Sequence, residues 1–141
     1  MTSDKIWDNV EDYLEHVKYN MMTPQEMVTE FHTTFGQPTD AKYEYISDLD
    51  NLRFKLVSEE FNEVRLAENA EELLKELADL VNVAYGYAVT FGWDLDEAVR
   101  RVHRSNMSKL DPETGQPIYR EDGKVLKGAN YEEPDLQDLV V

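Results

Sequence analysis

Two groups of carboxylates stand close together in the chain: Glu59, Glu60 and Glu63, then Glu76 and Asp79, with twelve residues between Glu63 and Glu76. On a helix, residues three or four apart share a face, with about 5–6 Å between their Cβ atoms. Glu59 and Glu63 then share one face with Glu60 beside them, and Glu76 and Asp79 share a face of their own. Five carboxylates gathered at one point repel one another. Protonation relieves part of that by raising pKa values; a hard divalent cation relieves it better near neutral pH. All-oxygen donor sets suit Mg²⁺, Mn²⁺ and Ca²⁺, and two such ions about 3.5–4 Å apart can clamp a phosphoryl transfer from both sides. Glutamate is common on exposed helix faces, so an isolated Glu-x-x-Glu pair carries little weight. Here the acids alternate with Leu56, Val57, Phe61 and Val64 in one segment and with Leu73, Leu77, Leu80 and Val83 in the other. Acids beside an apolar stripe, rather than opposite it, are hard to read as solvated decoration.

Bringing the two groups together takes two helices and a tight reversal. Residues 65–69 can hold the reversal, with Asn69 a good N-cap for the helix that follows. A short connection makes the helices antiparallel neighbours. The first is expected from Ser47 or Asp48 to Leu66, the second over residues 70–91. The second half of the latter, residues 80–91, is apolar nearly all round and must be buried on most sides, which implies a subunit interface. Ala84, Gly86 and Ala88 would allow close helix approach there. Upstream, Thr23-Pro24 with Glu26 opens a helix that runs to about Phe35, where Gly36 and Pro38 stop it. Residues 1–20 read as an amphipathic helical arm, with Ile6, Trp7, Val10, Tyr13, Leu14 and Val17 at helical spacing and Asp4 as a cap. Downstream, Gly92 ends the apolar helix and Asp94 or Asp96 starts another, to about Lys109. Residues 117–126 read as a small hairpin turning at Asp122-Gly123, and the last, acidic residues are expected to fray. The fold expected is all-α: one domain with an antiparallel four-helix core at 23–110, a helical arm at 1–20, a C-terminal β-hairpin and tail at 111–141, and assembly into a homodimer or homotetramer.

Other side chains have two readings each. Arg53 lies seven residues before Glu60, on the same face, where it orients a carboxylate, reaches a phosphate or makes an ordinary ion pair. Asn82 follows Asp79 by three and either sits over the metal site or satisfies a neighbour. His32 sits beside the apolar stripe formed by Met27, Val28, Phe31 and Phe35, as a packed group or a ligand contact. Tyr43 and Tyr45, in the connection at 37–47, suit base stacking or an interface. Arg100, Arg101, His103, Arg104 and Lys109 concentrate positive charge towards one helix end. Part of that compensates the helix dipole, and triphosphate binding is a natural use for the rest. Lys124, Lys127 and Tyr131 form either a phosphate-contacting flap or a plain surface hairpin. Asp48-x-Asp50 fails as a calcium loop because Arg53 occupies the position that needs glycine. No Glu-x-x-His pair of a di-iron bundle is present.

A formal net charge of −16 argues against a nucleic-acid partner, which needs a basic surface. An anionic nucleotide faces the same obstacle unless bound cations invert the local field. The absence of cysteine excludes thiolate metal sites and disulfides. Apolar runs are too short for a bilayer span, and the acidic N-terminus lacks the basic start of a signal peptide, so the expectation is a soluble, cytoplasmic protein with no membrane partner.

Glu59-Glu60-x-x-Glu63 followed by Glu76-x-x-Asp79 resembles the signature of the all-α nucleotide pyrophosphohydrolases, the MazG-like and phosphoribosyl-ATP pyrophosphohydrolase-like group; dimeric dUTPase relatives carry a shorter ExxE…ExxD form. The resemblance extends over about residues 27–135. Phe31-His-Thr-Thr-Phe-Gly-Gln-Pro38 is similar to the segment before the first acidic helix, and Arg53-x-x-Leu56-x-x-Glu59-Glu60 to its lead-in. Ser105-Asn-Met-Ser-Lys109 is similar to the Asn/Lys helix end, and Gly123-Lys-Val-Leu-Lys-Gly128 with Tyr131 to the tail of small phage and bacterial members. The resemblance implies a metal-dependent (deoxy)nucleoside triphosphate pyrophosphohydrolase. It would attack the α-phosphorus and release a monophosphate and pyrophosphate, with a purine such as dGTP preferred, in the host cytoplasm if phage-encoded. Two or three Mg²⁺ ions, or Mn²⁺, would be held by Glu59, Glu63, Glu76 and Asp79, with Glu60 both touching a metal and activating the water. Asn106 and Lys109 would be the first substrate contacts, with Lys124, Lys127, Tyr131, Arg53, His32 and Asn82 as further ones. The alternative is a non-enzymatic acidic helical module for interaction or regulation; the presence of all five carboxylates argues against a degenerate site.

Overall fold

The structure is a computed structural model and describes residues 7–141; Asp4 and Ile6, named above as cap and stripe of the arm, lie outside them. Along the chain come α1 (Val10–Asn20), α2 (Pro24–Thr34), α3 (Asp48–Leu66), α4 (Ala70–Thr90), α5 (Leu95–Met107), β1 (Ile118–Tyr119), β2 (Val125–Leu126) and a 3₁₀ turn at Gln137–Leu139. The chain divides into two compact units, one ending at Gly92 and one from Trp93 to Val141.

Each α-helix begins at a side chain that accepts from the backbone three residues on: Asn9, Thr23, Ser47, Asn69 and Asp94. These caps satisfy N–H groups that have no intrahelical partner, at about 0.5–2 kcal/mol each. At α2 the capping box is complete, with Glu26 reaching back to Thr23 N and Pro24 in the first turn. Gly36 and Gly92, at φ +70° and +71°, turn the chain just past the ends of α2 and α4.

In the first unit α4 packs against both α3 and α2. Val28 of α2 and Tyr85, Ala88 and Val89 of α4, with Phe91, form the apolar core. Gly86 is where the three helices meet: a Cβ there would lie 3.3 Å from Arg53 Nη1 of α3 and 3.3 Å from His32 Nε2 of α2. The connection between α2 and α3 folds back on the end of α4. Ala41 N–H donates to Thr90 O at 2.9 Å, and the Tyr43 ring meets Phe91 edge-on at 5.1 Å. Asp50, buried at the start of α3, accepts from Ile46 N–H at 2.9 Å and from the Tyr87 hydroxyl. The first of these bonds holds Ile46 at φ 58°, where a β-branched residue is rarely found. The second, with burial the larger cause, pushes the Tyr87 phenol up to about 12. Asn9 caps α1, so Trp7 of the stripe lies before that helix; none of the residues of α1 is buried, and Lys18 joins it to Glu30 of α2 at 2.9 Å. The apolar half of α4 is buried on most sides, as expected: Tyr85, Gly86, Ala88, Val89 and Thr90 are all buried, with Phe91 just past its end, and Val83, Ala84 and Tyr87 are half-buried. Earlier on α4, Leu74, Leu77 and Val81 are exposed along a groove of about 580 Å³ shared with Met27 and Phe31.

In the second unit the hairpin pairs Ile118 with Leu126 and Tyr119 with Val125, turning at Asp122 and Gly123, the latter at φ +88°. Gly128 passes so close to the end of α5 that a Cβ would lie 2.7 Å from the carbonyl oxygens of Lys109 and Leu110. Its N–H donates to Lys109 O at 2.9 Å. The acidic tail is anchored to α5 at two points, while Val140 and Val141 at its end are exposed. Ser105 donates to Glu132 O at 2.7 Å, and Arg101 grips Asp138 with both terminal nitrogens. No helix among the described residues is long and apolar enough to cross a membrane.

Candidate metal centre

Residues 67–69 join α3 to α4, so the packed pair runs antiparallel. Arg53 faces Gly86 across that pair. Seven residues further along α3 comes Glu60, and seven residues back along α4 comes Asp79, so the same register brings those two acids to one level. Glu60, Glu76 and Asp79 are all half-buried, and one carboxylate oxygen from each lies within 4.8 Å of the others. A triangle of that size can hold a hard cation after small side-chain adjustments, since Mg²⁺ and Ca²⁺ bind oxygen at about 2.0–2.6 Å. Burial raises the Glu60 pKa above its ordinary value, and the charges of Asp79 and Glu76 raise it further, with Glu63 adding a smaller push. The site is therefore short of positive charge, and an oxygen-only donor set of this kind fits a divalent ion.

One cation of the chain already reaches it. Lys75 Nζ lies 2.7 Å from Asp79 Oδ2 and 3.4 Å from Glu76 Oε1. Those contacts raise the Lys75 pKa. Sequence reasoning passed over Lys75, although its i,i+4 spacing to Asp79 is a signal that could have found it.

The remaining residues named from the sequence divide by place. Glu63 lies outside the tight triangle, yet the register that levels Glu60 with Asp79 levels it with Glu76. Glu59 also lies outside the triangle; its carboxylate is 56% exposed and 4.0 Å from Lys55 Nζ. Asn82 lines the apolar groove with Leu77, Val81 and Tyr85. His32 and Arg53, offered above as substrate contacts, are 2% and 5% exposed and lie inside the first unit. His32 Nδ1 is 2.8 Å from Pro38 O, and Arg53 Nη2 donates to Gln37 Oε1 at 3.1 Å. Burial lowers the pKa of both, and the Arg53 charge lowers that of His32 further. Both fix α2 and α3 against Gly86. The seven-residue spacing that put Arg53 on the face of Glu60 is also what buries it.

In the second unit, Asn106 is exposed near the end of α5, and Lys109 is tied to the tail through Gly128. Lys127 Nζ sits 4.6 Å over the Tyr131 ring centre, and Lys124 is exposed just past the hairpin turn. The arginines of α5 are engaged with acids: Arg100, Arg101 and Arg104 converge on Glu97 at 3.1, 3.1 and 3.3 Å, and Arg101 and Arg100 hold its carboxyl below the usual range.

Residues 28–106, more than half of the chain, match the model of a protein family described as phosphoribosyl-ATP pyrophosphohydrolase. The matched stretch begins in α2 and ends in α5, and it contains every carboxylate of the centre. No curated protein matches the chain.

Proposed function

The chain belongs to the phosphoribosyl-ATP pyrophosphohydrolase family, the MazG-like all-α group, and on that premise we propose that it is a metal-dependent hydrolase of (deoxy)nucleoside triphosphates. It would convert a dNTP and water to a dNMP and pyrophosphate, with a purine such as dGTP preferred. The observation that carries this reading is the convergence of Glu60, Glu76 and Asp79 within 4.8 Å on two adjacent helices. A nucleotide pyrophosphohydrolase-type activity is what the family supplies; the substrate, the attacked phosphorus and the ions are this proposal's own.

Glu60, Glu63, Glu76 and Asp79 would hold the metal, two or three Mg²⁺ or Mn²⁺ ions, with Glu59 at the edge of the set. Bound there, such ions neutralise phosphate charge and make a bound water more acidic. Glu60 takes the proton of the attacking water. The new bond forms from that oxygen to the α-phosphorus as the bond to the bridging oxygen breaks, and the pyrophosphate leaves with the bridging oxygen. A raised Glu60 pKa suits a group that must accept a proton near neutral pH. Asn106, Lys109, Lys124, Lys127 and Tyr131 would contact the phosphates and base. The exposed groove formed by Met27, Phe31, Leu74, Leu77 and Val81 supports a homodimer or homotetramer, since so large an apolar surface is costly in water.

Glu60→Gln and Glu63→Gln test the assignment. Each should lower kcat by at least about 100-fold, the scale of general-base and charge-stabilising groups. Because Glu60 is only half-buried and Glu63 is exposed, the far-UV spectrum and Tm should be preserved. Unimpaired turnover in either variant would refute the assignment. Phosphoribosyl-ATP belongs on the substrate panel beside the nucleotides, because the matching family model carries its name.

A further inference from the structure

We propose that Lys75 is a built-in competitor for the metal: its ammonium occupies the oxygens of Glu76 and Asp79 that the cation would use, and so sets the affinity of the centre. The inference rests on the metal-centre reading above.

Lys75 is adjacent to Glu76 and four residues before Asp79 on α4, and its side chain reaches forward along the helix to touch both, at 3.4 and 2.7 Å. These are two charge-assisted bonds to two of the three acids of the triangle. An ammonium is a compact point charge with three donors, so of all side chains it comes nearest to imitating a hard cation on oxygen. The side chain is 69% exposed, so no packing holds it in place. It can swing into solvent on a flexible stem, giving up little more than its ion pairs with Glu76 and Asp79. A divalent ion brings twice the charge and binds oxygen at about 2.0–2.6 Å, closer than the ammonium reaches. The ion therefore displaces Lys75, and its net affinity is reduced by the ion pairs that must be broken. Without Lys75 the three acids would repel with no other cation among the described residues in an ion pair with Glu76 or Asp79. The lysine thus steadies the centre at low metal and yields when the metal concentration rises.

The test is calorimetric titration of Mn²⁺ alone, without nucleotide, into the full chain and into Lys75→Met, Lys75→Arg and Glu60→Gln. Lys75→Met should bind Mn²⁺ about three- to tenfold more tightly, the range expected for losing one or two exposed ion pairs. Lys75→Arg keeps the charge and should stay within about twofold of the parent. In EDTA, Lys75→Met should melt below the parent, and saturating Mn²⁺ should close that gap. If Lys75→Met binds Mn²⁺ no more tightly while Glu60→Gln loses it, the competitor role is overturned and the metal centre stands. If Glu60→Gln binds as well as the parent, or the parent binds no Mn²⁺, the metal centre itself fails and Lys75 with it.

Discussion

At the scale of the residue, direction decides more than composition. Glu59 and Glu60 are neighbours in the chain, yet one lies beside Lys55 in solvent and the other joins Glu76 and Asp79. His32 and Arg53 show the same rule in the interior, with Gly86 opening the space both enter. Burial, and the guanidinium of Arg53 beside it, disfavour the charged form of His32, and this has a consequence for stability. The His32 pKa is lowered in the folded protein, so below its ordinary value near 6.5 the unfolded chain binds the extra proton and the folded chain does not. Stability is therefore full above that value and falls as pH drops through it. Urea midpoints measured from pH 7.5 down to pH 5 should decline, and His32→Gln should remove most of that slope. An undiminished slope in the variant would place the titration elsewhere.

At the scale of the element, α3 and α4 act as a ruled pair: the contact at Arg53 and Gly86 sets the register that brings Glu60 level with Asp79. Gly86 is tested by Gly86→Ala. Alanine favours a helix interior by about 0.5–1 kcal/mol. Its Cβ would sit 3.3 Å from both Arg53 Nη1 and His32 Nε2, and overpacking of this kind costs about 1–3 kcal/mol. The His32 ring is pinned to Pro38 O and cannot retreat cheaply. The second effect wins, and the variant should lose about 1 kcal/mol, read as a lower denaturant midpoint. A midpoint at or above that of the parent would mean that the three helices meet less closely. Most element ends were legible in the sequence, because each rests on local chemistry: Thr23 with Pro24 and Glu26, Asn69, Gly36, Gly92, and the hairpin turn at Asp122-Gly123. The features that were not legible depend on distant partners. Arg101 grips Asp138 thirty-seven residues away, so the acidic tail is fastened where charge alone suggested fraying. The burial of His32 and Arg53 depends on a glycine of a third helix.

At the scale of the whole molecule, an acidic chain of net charge −16 has to accept an anionic nucleotide. The two groups of carboxylates were readable from their spacing, and the family from the resemblance of several motifs to it. Which of the five acids meet was not, because that depends on how α3 crosses α4. Counter-charge at the centre is the requirement that unites these observations, supplied locally by Lys75 and, in the proposed reaction, by divalent metal. The most direct test is to incubate the protein with an equimolar mixture of dNTPs, NTPs and phosphoribosyl-ATP, in Mg²⁺ or Mn²⁺ and in parallel with EDTA, and to identify the products. The account predicts metal-dependent loss of a triphosphate, dGTP foremost, with its monophosphate and pyrophosphate appearing in equal amounts and nothing consumed in EDTA. Turnover that persists in EDTA, orthophosphate in place of pyrophosphate, or no consumption of any nucleotide would contradict it.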